Sequence, residues 1–242
     1  MAGDLPLFYQ SVVPLNRELH RDLRLSEDGT QYAFARGTNV IPAVIDEFAA
    51  ASRHVPILFM PGNPQPTAVF LVGLRTGTNA LVDADGRWTG GYVPAFARRY
   101  PFMLGEAPER EPLACIDERC AHLGGEGGAH LFEQDGSETG LLRDKIRLVN
   151  DFYGAAKRTE AFTALMVEMR LLRGVTIEAQ TGAQATATLS GFMSIDEAKL
   201  ATLPDADYLK LRDQGLLGPI YAHLLSLAAV DRLQPAAAAA AA

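Results

Sequence analysis

The stretch Gly90–Leu104, GGYVPAFARRYPFML, sits just after Trp88 and gathers the residue types that recognise ligands. An arginine guanidinium holds a carboxylate through two parallel hydrogen bonds, or stacks on an aromatic face. Trp88, Tyr92, Arg98, Arg99 and Tyr100 are therefore candidates for binding an acidic peptide or a small acid. Asp117 and His122 complete the set as ionisable groups for a pocket between the two halves of the chain. The same spacing has a plainer reading. Trp88, Tyr92, Phe96 and Tyr100 recur every four residues, close to one helical turn. Pro94 suits an early helical position and Pro101 pushes Tyr100 out of helical geometry. A short helix over 94–100 follows, its aromatic side on a sheet and Arg98 and Arg99 turned away.

Other chemistry-bearing residues form weaker patterns. Cys115, Cys120, His122 and His130 are spaced C-x4-C-x-H-x7-H, which matches no standard zinc arrangement, so no metal is expected. GGEGG at 124–128 offers successive glycine amides to an anion, but it lacks the Lys and Ser/Thr of a phosphate loop, so no nucleotide cofactor is expected. There is no G-x-S-x-G motif, and His20, His54 and His223 stand apart in sequence. Ser226, near His223 in PIYAHLLSL, reads as packing on an apolar helix. The acidic pairs Asp83/Asp85 and Asp117/Glu118 flank strands, where turn and strand-end solvation accounts for them. No catalytic set emerges, and the chain reads as leaning away from catalysis.

The elements that must position these residues follow from composition and period. At 242 residues and 48% hydrophobic content the chain can bury a large core without staples. A net charge of −7, with charges spread along the chain, gives no footprint for nucleic acid. MAGDLPLFYQ has no basic-then-apolar leader pattern and no window is apolar enough for a membrane span, so a soluble cytoplasmic protein with reduced thiols is expected.

The first 25 residues read as an extended segment on the core, and Tyr32–Phe34 as a short strand. Pro42 to His54 reads as a helix with Ile45, Phe48, Ala49 and Ser52 on one face. TAVFLVGL is a buried strand, expected to form a hairpin with ALVDADGRW that turns at Asp85-Gly86. PFML and PLACID add two more strands. The Gly-rich run from 122 to 140 reads as a mobile connection. Helices are expected over 141–153 and 159–172, the second capped by Thr159. A hairpin turning at Thr181-Gly182 follows, then a helix after the capping box Ser194–Glu197 and two more after Pro204 and Pro219. The fold class is α+β: an antiparallel or mixed sheet with short helices over about 1–120, and a helix-rich part with a small hairpin over about 138–230. The 235–242 tail, ending in seven alanines, enters no functional reading.

Five blocks, LPLFYQSVVPLNRELHRDLRL, NVIPAVIDEFAAASRHVPILF, VFLVGLRTGTNALVDADGRW, YVPAFARRYPFML with LACIDE, and GLLGPIYAHLLSL, closely resemble the bacterial SapC family in the same order. The similarity spans nearly all of 5–230 and implies one domain over 1–230. It brings no catalytic residue with it. It implies an accessory role in nutrient uptake or modification, beside flavin-dependent halogenase-like proteins and TonB-dependent receptors. The family name implies a surface-layer role. The expectation is a non-enzymatic binding or accessory protein with a protein partner or a second copy of itself. The alternatives are an enzyme or small-molecule binder with a pocket between the halves, and a surface-layer protein.

Overall fold

Two apolar runs, ILFM and TAVFL, lie at the centre of the molecule, joined through the proline-rich loop 61–66. The computed structural model describes residues 5–105, 112–125, 127–180 and 186–233. In chain order the strands are β1 (Val12–Pro14), β2 (Arg24–Leu25), β3 (Val40–Pro42), β4 (Ile57–Met60), β5 (Thr67–Leu71), β6 (Phe102–Gly105), β7 (Leu113–Asp117), β8 (Ala129–His130), β9 (Leu172–Gln180) and β10 (Thr186–Ile195). The α-helices are α1 (Phe48–Ala51), α2 (Ala95–Arg98), α3 (Gly140–Glu168), α4 (Glu197–Ala201), α5 (Asp205–Asp213) and α6 (Leu217–Ser226). The fold is α+β, and its strand pairings are antiparallel.

A five-stranded sheet runs β3-β5-β4-β10-β9, a three-stranded sheet runs β1-β7-β6, and β2 pairs with β8. The second hairpin, β9-β10, thus completes the main sheet by joining β4 at Met193 and Phe59. Phe48, Phe59, Phe70, Phe162 and Met166 are sealed between this sheet, α1 and α3. Each such side chain stabilises by about 1.5–3 kcal/mol relative to exposure. A second core holds Phe102, Ile116, Leu131, Leu142 and Val149 between the small sheet and the start of α3.

Several expectations are corrected. Tyr32–Phe34 is no strand: Ala33–Ala35 is a 3₁₀ turn, and Phe34 joins a ring cluster 4.9 Å from Phe8 and 4.2 Å from Tyr100. The run 42–54 divides into β3, a 3₁₀ turn over Ile45–Glu47, and the single turn of α1, with Ala49 exposed. β5 pairs with β3 and β4, so ALVDADGRW stays a turn closed by one bridge between Val82 and Trp88. The expected helices 141–153 and 159–172 are one, α3, capped by Thr139, whose hydroxyl oxygen accepts from the Leu142 amide. Thr159 lies in its middle, donating to the Ala155 carbonyl over 2.7 Å.

The Gly-rich run contributes β8 and buries Leu131 and Phe132 among its described residues, so it is part of the second core. α4 is capped by Asp196, because Ser194 is buried and bonded elsewhere. Gly215 ends α5 with φ +70°, a conformation that favours glycine. The turn at Thr181-Gly182 and the 235–242 tail lie outside the described residues.

Candidate functional site

The aromatic-arginine stretch folds as foreseen into a short helix, and its aromatic side is buried. α2 follows Pro94, whose extended backbone (ψ 141°) makes it the cap rather than the first helical residue. Phe96 packs 5.7 Å from Phe152 of α3, edge to face. Tyr100 stacks in the cluster with Tyr9 and Phe34. Trp88 meets Tyr32 edge-on at 5.8 Å, and its Nε1 is buried without a partner.

The two arginines part company, against the expectation that both turn outward. Arg98 is exposed and donates from Nε to the Val93 carbonyl over 3.0 Å. Arg99 is 9% exposed, its guanidinium carbon 4.4 Å from the ring centres of both Phe96 and Phe152. Burial lowers its pKa from the ordinary arginine value, and its Nε has no partner. Two ring faces take the place of a carboxylate here.

Arg98, Tyr100 and His122 line one small pocket of about 20 Å³, and Asp117 lies outside its lining. Asp117 is fully buried and its oxygens accept from the amides of Gln10, Ser11 and Arg119 at 2.8, 2.9 and 3.1 Å, and from the Tyr100 hydroxyl at 3.2 Å. It staples the N-terminal segment to β7. His122 is half-buried in the turn after β7, where its carbonyl accepts from the Ser26 amide.

What the structure does bring together lies on the other side of α2. The 3₁₀ turn is pinned to α3 by the Ile45 amide, which donates to the Thr159 hydroxyl oxygen over 2.8 Å. This places Glu47 beneath α2. Its Oε1 accepts from the Tyr92 hydroxyl at 2.7 Å and from the Ala95 amide at 2.6 Å, satisfying a donor that the start of a helix leaves free. Arg98 stands 3.7 Å away. Oε2 is buried with no partner, and burial is the largest influence on the carboxyl, raising its pKa above the usual carboxylate value.

Glu47 belongs to the lining of a cleft of about 420 Å³ between the 44–47 segment, α2 and α3. On α3 the spacing of Leu148, Asp151, Phe152, Ala155 and Arg158 turns these residues to one side. Five ionisable side chains converge there: Asp46, Glu47, Arg98, Asp151 and Arg158. Arg158 is bound bidentately by Asp46, at 3.2 and 2.6 Å, which raises the arginine's pKa. A second cleft of about 400 Å³ shares Val44 and Phe152 with the first and continues towards the loop Asn63–Pro66. A larger groove of about 680 Å³ beside Leu15 and Phe132 is also open, but none of the buried unpartnered polar atoms found among the described residues belongs to a residue lining it.

Asp46, Glu47, Asp151 and Arg158 were not singled out in the sequence. One signal was present for Glu47. Val44, Phe48, Ala51 and Val55 are buried at helical spacing, and Glu47 falls on that same side as its one acid.

Ser194 and His223 form a further pair that the sequence did not reveal. His223 Nε2 lies 3.0 Å from the Ser194 hydroxyl and accepts from the Ile195 amide at 3.0 Å. Both residues are sealed, at 1% and 0% exposure, so no substrate reaches them. Burial lowers the His223 pKa to about 4. Ser226 donates to the His223 carbonyl and accepts from the Ile57 amide, tying α6 to β4.

Among the described residues, Cys115 and Cys120 are buried free thiols, and burial raises both pKa values. Also among them, no single helix is long and apolar enough to cross a membrane, and no group of three His, Cys, Asp or Glu side chains is placed to hold a metal ion.

Comparison with curated proteins finds no match, and comparison with solved structures finds none either. The SapC family model, by contrast, matches residues 15–233, the span that contains the cleft and the buried residues of both cores. The chain belongs to the SapC family.

Proposed function

We propose that this SapC-family chain is a non-enzymatic binding and accessory protein whose contact site is the cleft over Glu47. The observation that carries this reading is the convergence of five ionisable side chains around a buried, half-satisfied carboxyl. Ion pairing and capping occupy Asp46, Arg158 and Glu47 Oε1, and no Ser, Thr, Cys or Lys is among the described residues that line the cleft. Such a site recognises rather than reacts. The partner is a protein, and a flavin-dependent halogenase-like protein working with TonB-dependent uptake is the one the family resemblance suggests.

Calorimetric titration of the purified chain with a halogenase-like protein from the same organism tests this. Saturable binding that Arg158→Glu weakens at least about tenfold supports the reading, since reversal of one close charge at an interface has that scale. The absence of heat with folded proteins counts against it. A second reading, a small molecule in the same cleft, is favoured by the unpartnered Oε2 of Glu47.

A further inference from the structure

The cleft has a definable preference once its internal pairings are removed. Asp46 and Arg158 neutralise each other through two hydrogen bonds. Arg98 sits loosely opposite Glu47, at 3.7 Å and with 43% of its side chain exposed. Asp151 is exposed on α3, four residues before Ala155, and acts on Arg158 through its charge without a close ion pair among the described residues. The charge left over is negative. The carboxyl at the base lacks a donor on Oε2, and the walls from Val44, Leu148, Phe152 and Ala155 are apolar.

We propose that this cleft binds a hydrophobic primary amine, its ammonium donating to Glu47 Oε2 and facing Asp151, and its apolar body lying on Val44 and Phe152. The inference rests on the reading of the cleft as the contact site. An ammonium carries three donors and no acceptor, which suits a site with a spare buried acceptor and one unneutralised acid. Arg98, held by a carbonyl bond and a long ion pair to Oε1, is the exposed side chain beside this carboxyl. A neutral alcohol of the same shape offers the carboxyl one uncharged donor and no charge, and a carboxylate analogue offers no donor at all. The amine has two sources, a free small molecule or a lysine side chain of a protein partner.

Benzylammonium chloride, benzyl alcohol, sodium benzoate and an acetylated, amidated pentapeptide with one central lysine are titrated into the full chain, following backbone NMR shifts through the millimolar range. The expected result is saturable shifts at residues 44–48, 95–98 and 148–158 with benzylammonium, at least about tenfold weaker binding of the alcohol, and none of benzoate. Saturation by the peptide tighter than by benzylammonium identifies the lysine source, and the reverse identifies the free amine. Glu47→Gln, which keeps an acceptor for Tyr92 and Ala95, weakens amine binding about tenfold, the scale of one hydrogen bond to a charged group. Asp151→Asn, a surface change that leaves the fold alone, weakens it about threefold, the scale of an exposed charge contact.

Equal binding of benzyl alcohol and benzylammonium, or no saturation by either amine, overturns the proposal. If a protein partner still binds the cleft in that case, only the ligand assignment is lost. If no partner binds there, the reading of the cleft falls with it.

Discussion

The Tyr92 hydroxyl and the Ala95 amide both donate to one oxygen of Glu47, at 2.7 and 2.6 Å, while its second oxygen receives nothing. A single carboxyl therefore ties the 3₁₀ turn to α2 and keeps half its hydrogen-bonding capacity unused. Burial raises its pKa and that of Tyr92, so neither group ionises as easily as in water. Glu47→Ala strands the buried Ala95 amide and the half-buried Tyr92 hydroxyl, and a loss of about 1–3 kcal/mol is expected for the amide, with less for the hydroxyl that water can reach. Glu47→Gln keeps the acceptor and loses much less. Urea unfolding of both variants checks this, and equal losses would contradict the assigned role.

Arg99 and Arg98, neighbours in sequence, should respond in opposite ways. Arg99 lies between two rings with no acid partner, so its charge contributes less than its packing. Arg99→Met preserves the volume and is expected to change stability by under about 1.5 kcal/mol. Arg99→Ala opens a gap between Phe96 and Phe152 and costs about 2–4 kcal/mol. Arg98→Ala, at the surface, stays within about 0.5 kcal/mol. Thermal melts of the three variants decide the matter. A Met variant as unstable as the Ala variant would show that the charge itself is required.

Asp117 accepts four hydrogen bonds from the N-terminal segment, its own turn and Tyr100. Asp117→Ala is expected to cost about 1–3 kcal/mol, because the buried Tyr100 hydroxyl and three part-buried amides lose their acceptor together. The segment around Gln10 and Ser11 should come loose first. Limited proteolysis should then cut between Tyr9 and Leu19 in the variant and not in the native chain. Cleavage first in the α5-α6 region would contradict the staple.

His223 makes a pH prediction with a definite sign. Its pKa is lowered from 6.5 to about 4 by burial, so between these values the unfolded chain binds the extra proton. Stability from this group is complete above about pH 6.5 and is lost as pH falls towards 4, by on the order of 3 kcal/mol. Glu47 acts with the opposite sign: its raised pKa makes the folded chain the better proton acceptor as acidity rises. NMR of the His223 ring separates the two. Its resonances should keep their neutral positions at pH 5, whereas titration near 6.5 would contradict the sealed environment.

The apolar framework was legible because burial imposes period. TAVFL, PFML and LACID are strands as read, and the proline-bounded helix after Val93 exists. Pairing partners were not legible. β5 finds β3 and β4 instead of the adjacent ALVDADGRW, a choice that depends on which apolar faces meet in space. Thr159 reads as a helix start by its type, yet in the middle of α3 its hydroxyl bonds back to Ala155 and holds Ile45. Ser194 likewise resembles a cap and instead meets His223.

At the candidate site, aromatic and arginine types drew attention to the buried side of α2. Arg98 alone of those residues lines the cleft, while Asp46, Asp151 and Arg158 join it through contacts more than 100 residues apart, such as Asp46 with Arg158.

Hydrogen-deuterium exchange of the chain, alone and with the proposed halogenase-like partner, tests most directly the proposal that the cleft over Glu47 is the contact site. Slowed exchange at 44–48, 92–99 and 148–158, with the rest of the chain unchanged, is the predicted result. Slowed exchange confined to α6, where Tyr221 and Leu225 are exposed, would contradict it.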